Sequence, residues 1–322
     1  MKMYKFKPIL KQTIWGGDKI AAIKHLKDAP RNIGESWEVS GVEGNVSVVA
    51  EGENIGMSLT QLIEKQQANL LGEANYQRFG TDFPLLIKFI DAKQNLSIQV
   101  HPTDEQARAV GKPYGKTEMW VIMEGSSPTA SLRVGLNKSI TSDEYKQMVA
   151  DSTICDAITH YPVSKDDCFF LPAGRIHSIG AGCLLLEIQQ TSDVTYRIFD
   201  FDRRDADGNL RQLHTDEAAA CIDYHVEDDY QTHYQQQKNE LTPLVSCPYF
   251  TTEMLDMHGV QRIDLSSLDS FQLVMCVRGC GFVTDNEGFS LQMHAGETIL
   301  VAANAQWIEL EGSLKVVTAS VN

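Results

Sequence analysis

The sequence predicts a mainly β protein, in which a larger barrel or sandwich is followed by a second, smaller β unit. From residue 83 onward, short apolar or alternating segments are separated by Gly, Pro and Asp turns, a pattern typical of such folds. The stretch 225–241 is polar and rich in glutamine, so it is expected to be a linker. We therefore expect one domain at 1–235 and a second at 240–322.

Seven segments predict the strands of the first domain, namely PLLIKFIDA, NLSIQVH, EMWVIMEG, ASLRVGL, CFFLPAG, CLLLEIQQ and VTYRIFDFD. Helical spacing interrupts the β pattern at 57–72, where Gly72 is the expected C-terminal end. It does so again at 141–161, which opens with a Thr/Ser cap and an acidic first turn. After the linker, SFQLVMCVRGCGFV, GETILVAANAQWIEL and GSLKVVTASV again predict short strands.

Composition and charge exclude several classes of protein. The chain has 322 residues, and its 43 acidic against 28 basic residues give a formal charge of −15, which disfavours binding to nucleic acid or anionic membranes. No long apolar run or signal-like N-terminus is present, so we expect a cytoplasmic protein. Seven scattered cysteines without a CxxC pair indicate reduced thiols. We expect a monomer or homodimer that acts on a small molecule.

The segment SIQVHPTDEQA places polar side chains at every second position. Successive side chains of a strand point to opposite faces, so Ser97, Gln99 and His101 share one face. Ile98 and Val100 share the other face, where they are expected to pack. The polar face is therefore predicted to line a cavity.

Two later segments supply further candidate ligands for that cavity. Lys116 and Glu118 share one face of the strand EMWVIMEG and its approach, and the turn LPAGRIH presents His177. Two histidines, a carboxylate and an amide oxygen suit zinc or another divalent transition metal better than Ca²⁺ or Mg²⁺. We predict that Gln99, His101, Glu118 and His177 bind one such ion.

Charged residues further along could handle a proton and an anionic substrate. Glu187 lies in a strand of leucines, where burial should raise its pKa toward the range of a general base. Lys116 is the alternative base, because a nearby metal ion disfavours its charged form. Arg197 and Arg203 offer the bidentate donors that suit a phosphate.

These residues stand in motifs that resemble a known family. The spacings from Glu118 to Gly125, and from Pro172 and Gly174 to His177, resemble the two motifs of the cupin superfamily, whose metal lies in the mouth of a small β-barrel. Over a longer range, the chain resembles the type I phosphomannose isomerases in their short bacterial form. The matching segments are WGGDKI, IGESWEVSG, FPLLIKFIDAKQNLSIQVHP, GKTEMW, LPAGRIHSIG and LLEIQQTSDVTYRIFDFDR.

The resemblance implies two cupin-type jelly-roll barrels. The first would be the catalytic domain and would carry the helical segments. The second would be a degenerate, metal-free cupin domain, because Ala302, Asn304 and Trp307 stand where its motif would have proline, glycine and histidine.

The resemblance also implies an activity, which is the interconversion of mannose 6-phosphate and fructose 6-phosphate by proton transfer between C1 and C2 through an enediol. Zinc would be the metal, with one ion per chain. The catalytic residues would be Glu187, Lys116 and Arg197, and the substrate-binding residues Ser97, Lys88 and Arg203. Two alternatives stay open, namely a cupin Fe(II) dioxygenase, which uses two histidines and one carboxylate, and a catalytically silent sugar-phosphate-binding protein.

Overall fold

The structure is a computed structural model, and it describes residues 2–125, 130–204 and 207–321. Its strands are β1 (Met3–Phe6), β2 (Ile9–Gly17), β3 (Ile33–Val39), β4 (Val49–Glu51), β5 (Leu85–Asp91), β6 (Ile98–Val100), β7 (Glu118–Gly125), β8 (Ser131–Leu136), β9 (Ile158–Pro162), β10 (Cys168–Leu171), β11 (His177–Ile179), β12 (Cys183–Gln190), β13 (Tyr196–Phe199), β14 (Gln231–Thr232), β15 (Leu241–Ser246), β16 (Thr251–Asp264), β17 (Gln272–Asp285), β18 (Ser290–His294), β19 (Thr298–Val301) and β20 (Trp307–Ser320). Its helices are α1 (Lys19–Ile23), α2 (Leu59–Gln66), α3 (Ala68–Leu71), α4 (Glu73–Phe79), α5 (Asp104–Ala109), α6 (Ser142–Ala150) and α7 (Thr215–Cys221), with a 3₁₀ turn at Ile154–Ala157. The predicted mainly β fold with a few helices is confirmed. None of the helices in these ranges has the length and apolar character of a membrane span.

The larger part of the chain forms two sheets that share one apolar core. A seven-stranded sheet has the order β14-β10-β7-β12-β5-β3-β2, and a five-stranded sheet has the order β13-β6-β11-β8-β9. Buried side chains from both sheets pack together, for example Trp120 and Ile122 of β7 with Leu132 and Val134 of β8. Burial of this apolar surface holds the two sheets face to face.

The C-terminal part forms an eight-stranded sheet with its own apolar core. The order is β15-β16-β20-β17-β19-β1-β4, and β18 pairs with β17. Two of these strands come from the N-terminus, since Met3 pairs with Val301 and Phe6 pairs with Val49. The expected division between 235 and 240 therefore does not separate the sheets, because β1 and β4 cross it. The domain boundaries stay a prediction.

The predicted helical segment at 57–72 continues beyond Gly72. Ser58 caps α2 through a capping box with Gln61. Gly72 ends α3 with a φ of +92°, and a Cβ there would lie 2.3 Å from the carbonyl oxygen of Asp269. Because α4 follows immediately, the glycine is a bend between two helices and not the end of the helical segment.

The helical prediction at 141–161 is correct only for its first part. Thr141 caps α6 through a capping box with Glu144, as the Thr/Ser signal indicated. Residues 158–162 instead form β9, which pairs with β8. This long-range pairing overrides the local helical spacing, because helix propensity is a weak preference compared with tertiary contacts.

The polar stretch at 225–241 is more ordered than a linker. It contributes β14, at the edge of the seven-stranded sheet. It also contributes Tyr230, which is buried and donates a hydrogen bond from its hydroxyl to the carbonyl oxygen of Leu136 at 2.9 Å. The buried tyrosine and the strand pairing therefore attach this segment to the first core.

Candidate active site

Three side chains from the two facing sheets form a His–Glu–His group, which consists of His101, Glu118 and His177. His101 follows β6, and His177 begins β11, which pairs with β6. Glu118 begins β7, in the other sheet. All three side chains are buried, and their ligand atoms lie within 4.8 Å of one another. Sheet packing therefore brings together residues that are far apart in the sequence.

The two histidines of this group are held as neutral ligands. His101 Nδ1 lies 2.9 Å from the carbonyl oxygen of Val194, and His177 Nδ1 lies 2.8 Å from that of Arg175. A carbonyl oxygen only accepts, so each Nδ1 carries the proton and each Nε2 presents a lone pair to the group. Burial lowers the pKa of His101 well below its usual value and that of His177 to about 4. Both rings are therefore neutral at pH 7, as metal ligation requires.

The carboxylate of Glu118 lacks a complete set of protein partners. Its Oε1 accepts no hydrogen bond from the described part of the chain. Its Oε2 lies 2.9 Å from Lys116 Nζ, which also lies 3.0 Å from His101 Nε2. Burial and the charge of Glu187 raise the pKa of Glu118 to about 7. The group thus attracts a cation, since the Lys116 ammonium already contacts two of its three members.

These residues fit a divalent transition metal. Two imidazole nitrogens and a carboxylate oxygen are a donor set that zinc and its neighbours prefer. Gln99 lies beside them, with its side-chain nitrogen 3.3 Å from His177 Nε2. Exchanging the oxygen and nitrogen of this amide, by rotating it by about 180°, would direct the oxygen toward His177 Nε2 and the group. The structure therefore contains a metal-binding group of His101, Glu118 and His177, whereas Gln99 as a fourth ligand stays a prediction.

Glu187 lies in a charged environment, and the predicted rise in its pKa is wrong. Its carboxylate lies 3.1 Å from Lys88 Nζ and accepts a hydrogen bond from Trp120 Nε1 at 2.8 Å. Burial alone would raise the pKa of Glu187, but the charges of Lys88 and Lys116 and the Trp120 hydrogen bond lower it to about 2. Burial would lower the pKa of Lys88, but Glu187 and Glu35 raise it. Lys88 is the residue directly opposite Glu187 on the neighbouring strand.

A cavity of about 350 Å³ opens beside these groups, a size that suits a small polar ligand. Its lining residues are Trp15, Glu35, Trp37, Lys88, Ile90, Leu96, Ser97, Gln99, Lys116, Ile179, Glu187, Asp193, Thr195, Arg197 and Arg211. Ser97 and Gln99 thus face the cavity, whereas Ile98 and Val100 pack into a separate apolar cluster, as the alternation predicted. The cavity contains most of the predicted site residues on one continuous wall.

The arginines are arranged differently from the prediction. Arg197 lines the cavity, and its Nη1 donates to the carbonyl oxygen of Gln212 at 3.0 Å. Arg203 is not among the lining residues, and its guanidinium donates to the carbonyl oxygen of Asn95 and to the carboxylate of Asp200. Arg211 lines the cavity instead. Contact between Arg203 and a substrate stays a prediction.

Reasoning from the sequence missed four of the larger lining residues. Trp15, Glu35 and Trp37 belong to the segments WGGDKI and IGESWEVSG, which carried the resemblance but were given no role. The sequence therefore did contain a motif that could have identified Trp15, Glu35 and Trp37 as site residues. Arg211 lies beyond the last of the matching segments, and only the tertiary structure brings it to the cavity.

Family models match both ends of the chain. The description "Phosphomannose isomerase type I, catalytic domain" matches residues 3–117, and "Mannose-6-phosphate isomerase, cupin domain" matches residues 240–321.

Whole-chain comparisons point to the same family. Mannose-6-phosphate isomerase ManA of Bacillus subtilis is 33% identical over 310 residues, which cover 95% of each chain. Mannose-6-phosphate isomerase of Streptococcus mutans is 30% identical, over 96% of this chain and 95% of the relative. The crystal structure of the mannose 6-phosphate isomerase from Bacillus subtilis is similar with a TM-score of 0.88, at 26% identity and over 99% of each chain. The chain therefore belongs to the type I phosphomannose isomerase family.

Proposed function

We propose that the chain interconverts mannose 6-phosphate and fructose 6-phosphate by moving a proton between C1 and C2 through an enediol. The observation that carries the proposal is a single cavity that combines Lys116 and Glu187, next to the His–Glu–His group, with Arg197. Isomerisation of this kind needs a base, stabilisation of a developing oxyanion and a means of holding the substrate. Each need has a matching group on or beside the cavity wall. The relatives named above, which are similar over nearly the whole chain, are mannose-6-phosphate isomerases.

Glu187 and Lys116 are the two candidates for the group that moves the proton. Both line the cavity. Glu187 is buried and ionised, and Lys88 and Trp120 fix the orientation of its carboxylate. Lys116 contacts Glu118 and His101, so its ammonium is also held in place. The ionised carboxylate of Glu187 could take a proton from one carbon and return it to the other. Lys116 could do the same only as the neutral amine, a form that a bound divalent ion would favour.

We infer that one zinc ion per chain is held by His101, Glu118 and His177, with Gln99 as a fourth ligand. When bound, such an ion supplies a Lewis acid that polarises a sugar oxygen. The metal content of protein purified without added metal tests this. About one equivalent of zinc per chain is expected. Iron in its place would point to the dioxygenase, and two equivalents would contradict a metal-free second barrel.

The purified protein is expected to convert mannose 6-phosphate to fructose 6-phosphate. This conversion should stop after treatment with a chelator and resume when zinc is restored. The reason is that a divalent ion on this donor set would supply the Lewis acid that stabilises the developing oxyanion. Conversion is followed by NMR of both sugars. Chelator already saturated with zinc is the control. Absence of turnover in every condition would refute the isomerase, and binding without turnover would support the silent binding protein.

Replacing Arg197 by alanine is expected to lower kcat as well as raise KM, with kcat/KM falling by about 10- to 100-fold. Binding energy from a phosphate group remote from the reacting carbons can be used to orient those carbons, so its loss reaches the chemical step. Initial rates over a range of mannose 6-phosphate concentrations measure both constants. A change confined to KM would mean that Arg197 binds the ground state and the transition state equally.

We also propose that the protein acts in the cytoplasm as a monomer or homodimer. The excess of acidic residues and the reduced-thiol pattern of the cysteines support this location. Cell fractionation tests the location, and light scattering coupled to size-exclusion chromatography tests the oligomeric state.

A further inference from the structure

Asp200 holds two arginines at one side of the cavity. It is 5% exposed, and its carboxylate accepts hydrogen bonds from Arg211 Nε and Arg211 Nη2, each at 2.6 Å. Arg203 Nη2 donates to the same carboxylate. A side-on pair of two parallel hydrogen bonds fixes the plane of the guanidinium as well as its position. Asp200 therefore orients Arg211 more tightly than a single contact would.

This pairing leaves part of Arg211 available to a ligand. Nε and Nη2 bind Asp200, whereas Nη1 has no hydrogen-bond partner within the described ranges. Arg197 lines the same cavity, and its Nε likewise lacks a hydrogen-bond partner among the described residues. The guanidinium groups of Arg197 and Arg211 thus both line this cavity, and each has a donor that bonds to no described residue, which in Arg197 is the buried Nε.

The segment that carries Arg211 is attached to the strand that carries Arg197. Arg197 Nη1 donates to the carbonyl oxygen of Gln212 at 3.0 Å. The backbone N–H of His214 donates to the carbonyl oxygen of Arg197 at 2.8 Å, and the backbone N–H of Arg197 donates to His214 Nδ1 at 3.1 Å. One backbone hydrogen bond and two that involve a side chain therefore join the segment of Arg211 to the strand of Arg197.

The charges of this wall match a phosphate. Burial would raise the pKa of Asp200, but the hydrogen bonds from Arg211 and Arg203 lower it, so one ionised carboxylate is surrounded by three guanidinium groups. Burial lowers the pKa of Arg197, and the positive charge of Arg211 lowers it further. Positive charge is thus in excess here, and a phosphate monoester of about −1.5 to −2 would balance it.

We propose that Arg211 binds the phosphate of the substrate together with Arg197, and that Asp200 is a positioning residue that holds Arg211 for this contact. The identity of the substrate rests on the proposed function, but the anion site can be tested without turnover. Arg203, which the sequence assigned to the substrate, would instead support Asp200 from outside the cavity wall.

The variant Arg211→Gln is expected to raise KM for mannose 6-phosphate by about 10- to 100-fold. It should weaken the binding of inorganic phosphate, measured by calorimetry, by a similar factor. Arg204→Gln is the matched control, because Arg204 lies on the same segment, is exposed, and donates to the carbonyl oxygen of Gly208. Unchanged phosphate binding in Arg211→Gln, or a larger loss in Arg203→Gln, would overturn the proposal.

The same titration separates the two proposals. A wild-type chain that binds inorganic phosphate through Arg211 but does not convert mannose 6-phosphate would refute the proposed function and keep the anion site. Conversion of mannose 6-phosphate by Arg211→Gln with the same efficiency as the wild type would keep the function and refute the role of Arg211. Failure of the wild type to bind either inorganic phosphate or mannose 6-phosphate would refute both.

Asp200 is tested by a double-mutant cycle. Asp200→Asn removes the charge that holds Arg211 while keeping the shape of the side chain, and it is expected to raise KM by about 5- to 30-fold with a smaller change in kcat. In the Arg211→Gln background, the same substitution should change KM by less than about 2-fold, because the arginine that contacts the phosphate is no longer there to be positioned. An equal loss in both backgrounds would mean that Asp200 is only structural.

Discussion

Replacing His177 by alanine is expected to abolish metal binding and to lower the turnover of mannose 6-phosphate by about 10³-fold or more. The reason is that His177 is one of three buried donors within 4.8 Å of one another, and no other carboxylate, histidine or cysteine in the described part of the chain joins that group. Metal content per chain and initial rates measure the two effects. The ring also packs edge-on against Trp120, with centroids 5.3 Å apart, so the unfolding temperature must be recorded as well.

His160→Ala is the matched control for this variant. His160 is an exposed histidine on β9, outside the His–Glu–His group. The His160→Ala variant is expected to keep both the bound metal and the turnover of mannose 6-phosphate. A folded His177→Ala protein that retains one equivalent of metal and full turnover would contradict the metal site.

The pair of variants Glu187→Gln and Lys116→Met is expected to identify the base. In the variant that lacks the base, kcat should fall by about 10²- to 10⁴-fold. The transferred proton should then no longer exchange with solvent. Exchange is measured by NMR in D₂O, as deuterium incorporated into the sugar. We favour Glu187, because its carboxylate is held in an ionised state in a buried position. Near-normal turnover and exchange in Glu187→Gln would remove it from the mechanism.

Lys88→Met provides a pH test of the same assignment. A general base accepts a proton only when ionised, and Lys88 is the largest influence that lowers the pKa of Glu187. With Glu187 as the base, the wild-type enzyme should show no fall in kcat/KM from this group as pH decreases through the neutral range. Without Lys88, burial raises the pKa of Glu187, so the acid limb of the profile should move to higher pH. An acid limb that does not move would argue for Lys116.

The sequence predicted much of the fold because strand alternation and helix caps depend only on residues that are close together in the chain. Alternation along β6 assigned Ser97 and Gln99 to one face and Ile98 and Val100 to the other, and the cavity and the apolar cluster lie on those faces. The capping box at Thr141 marked the start of a helix. Residues 158–161 were mispredicted because their strand pairing depends on a partner distant in the sequence.

The error about the pKa of Glu187 and the missed lining residue Arg211 have the same origin. The leucines around Glu187 predicted an apolar environment, yet the lysine opposite it comes from β5. Arg203 and Arg211 both donate to Asp200, yet only Arg211 lines the cavity. Side-chain pKa values and contacts depend on neighbours across the sheet, which no local pattern contains.

The sequence by itself determined the mainly β class, the polar face of β6 and the residues of the His–Glu–His group, since a period of two and fixed motif spacings are properties of short segments. Only the tertiary structure decided that β1 joins the C-terminal sheet, that Lys88 neutralises Glu187, and that Arg211 lines the cavity. The physical reason is that strand register and sheet packing bring together groups that are far apart in the chain, and the Coulomb energy between two charges rises as the distance between them falls.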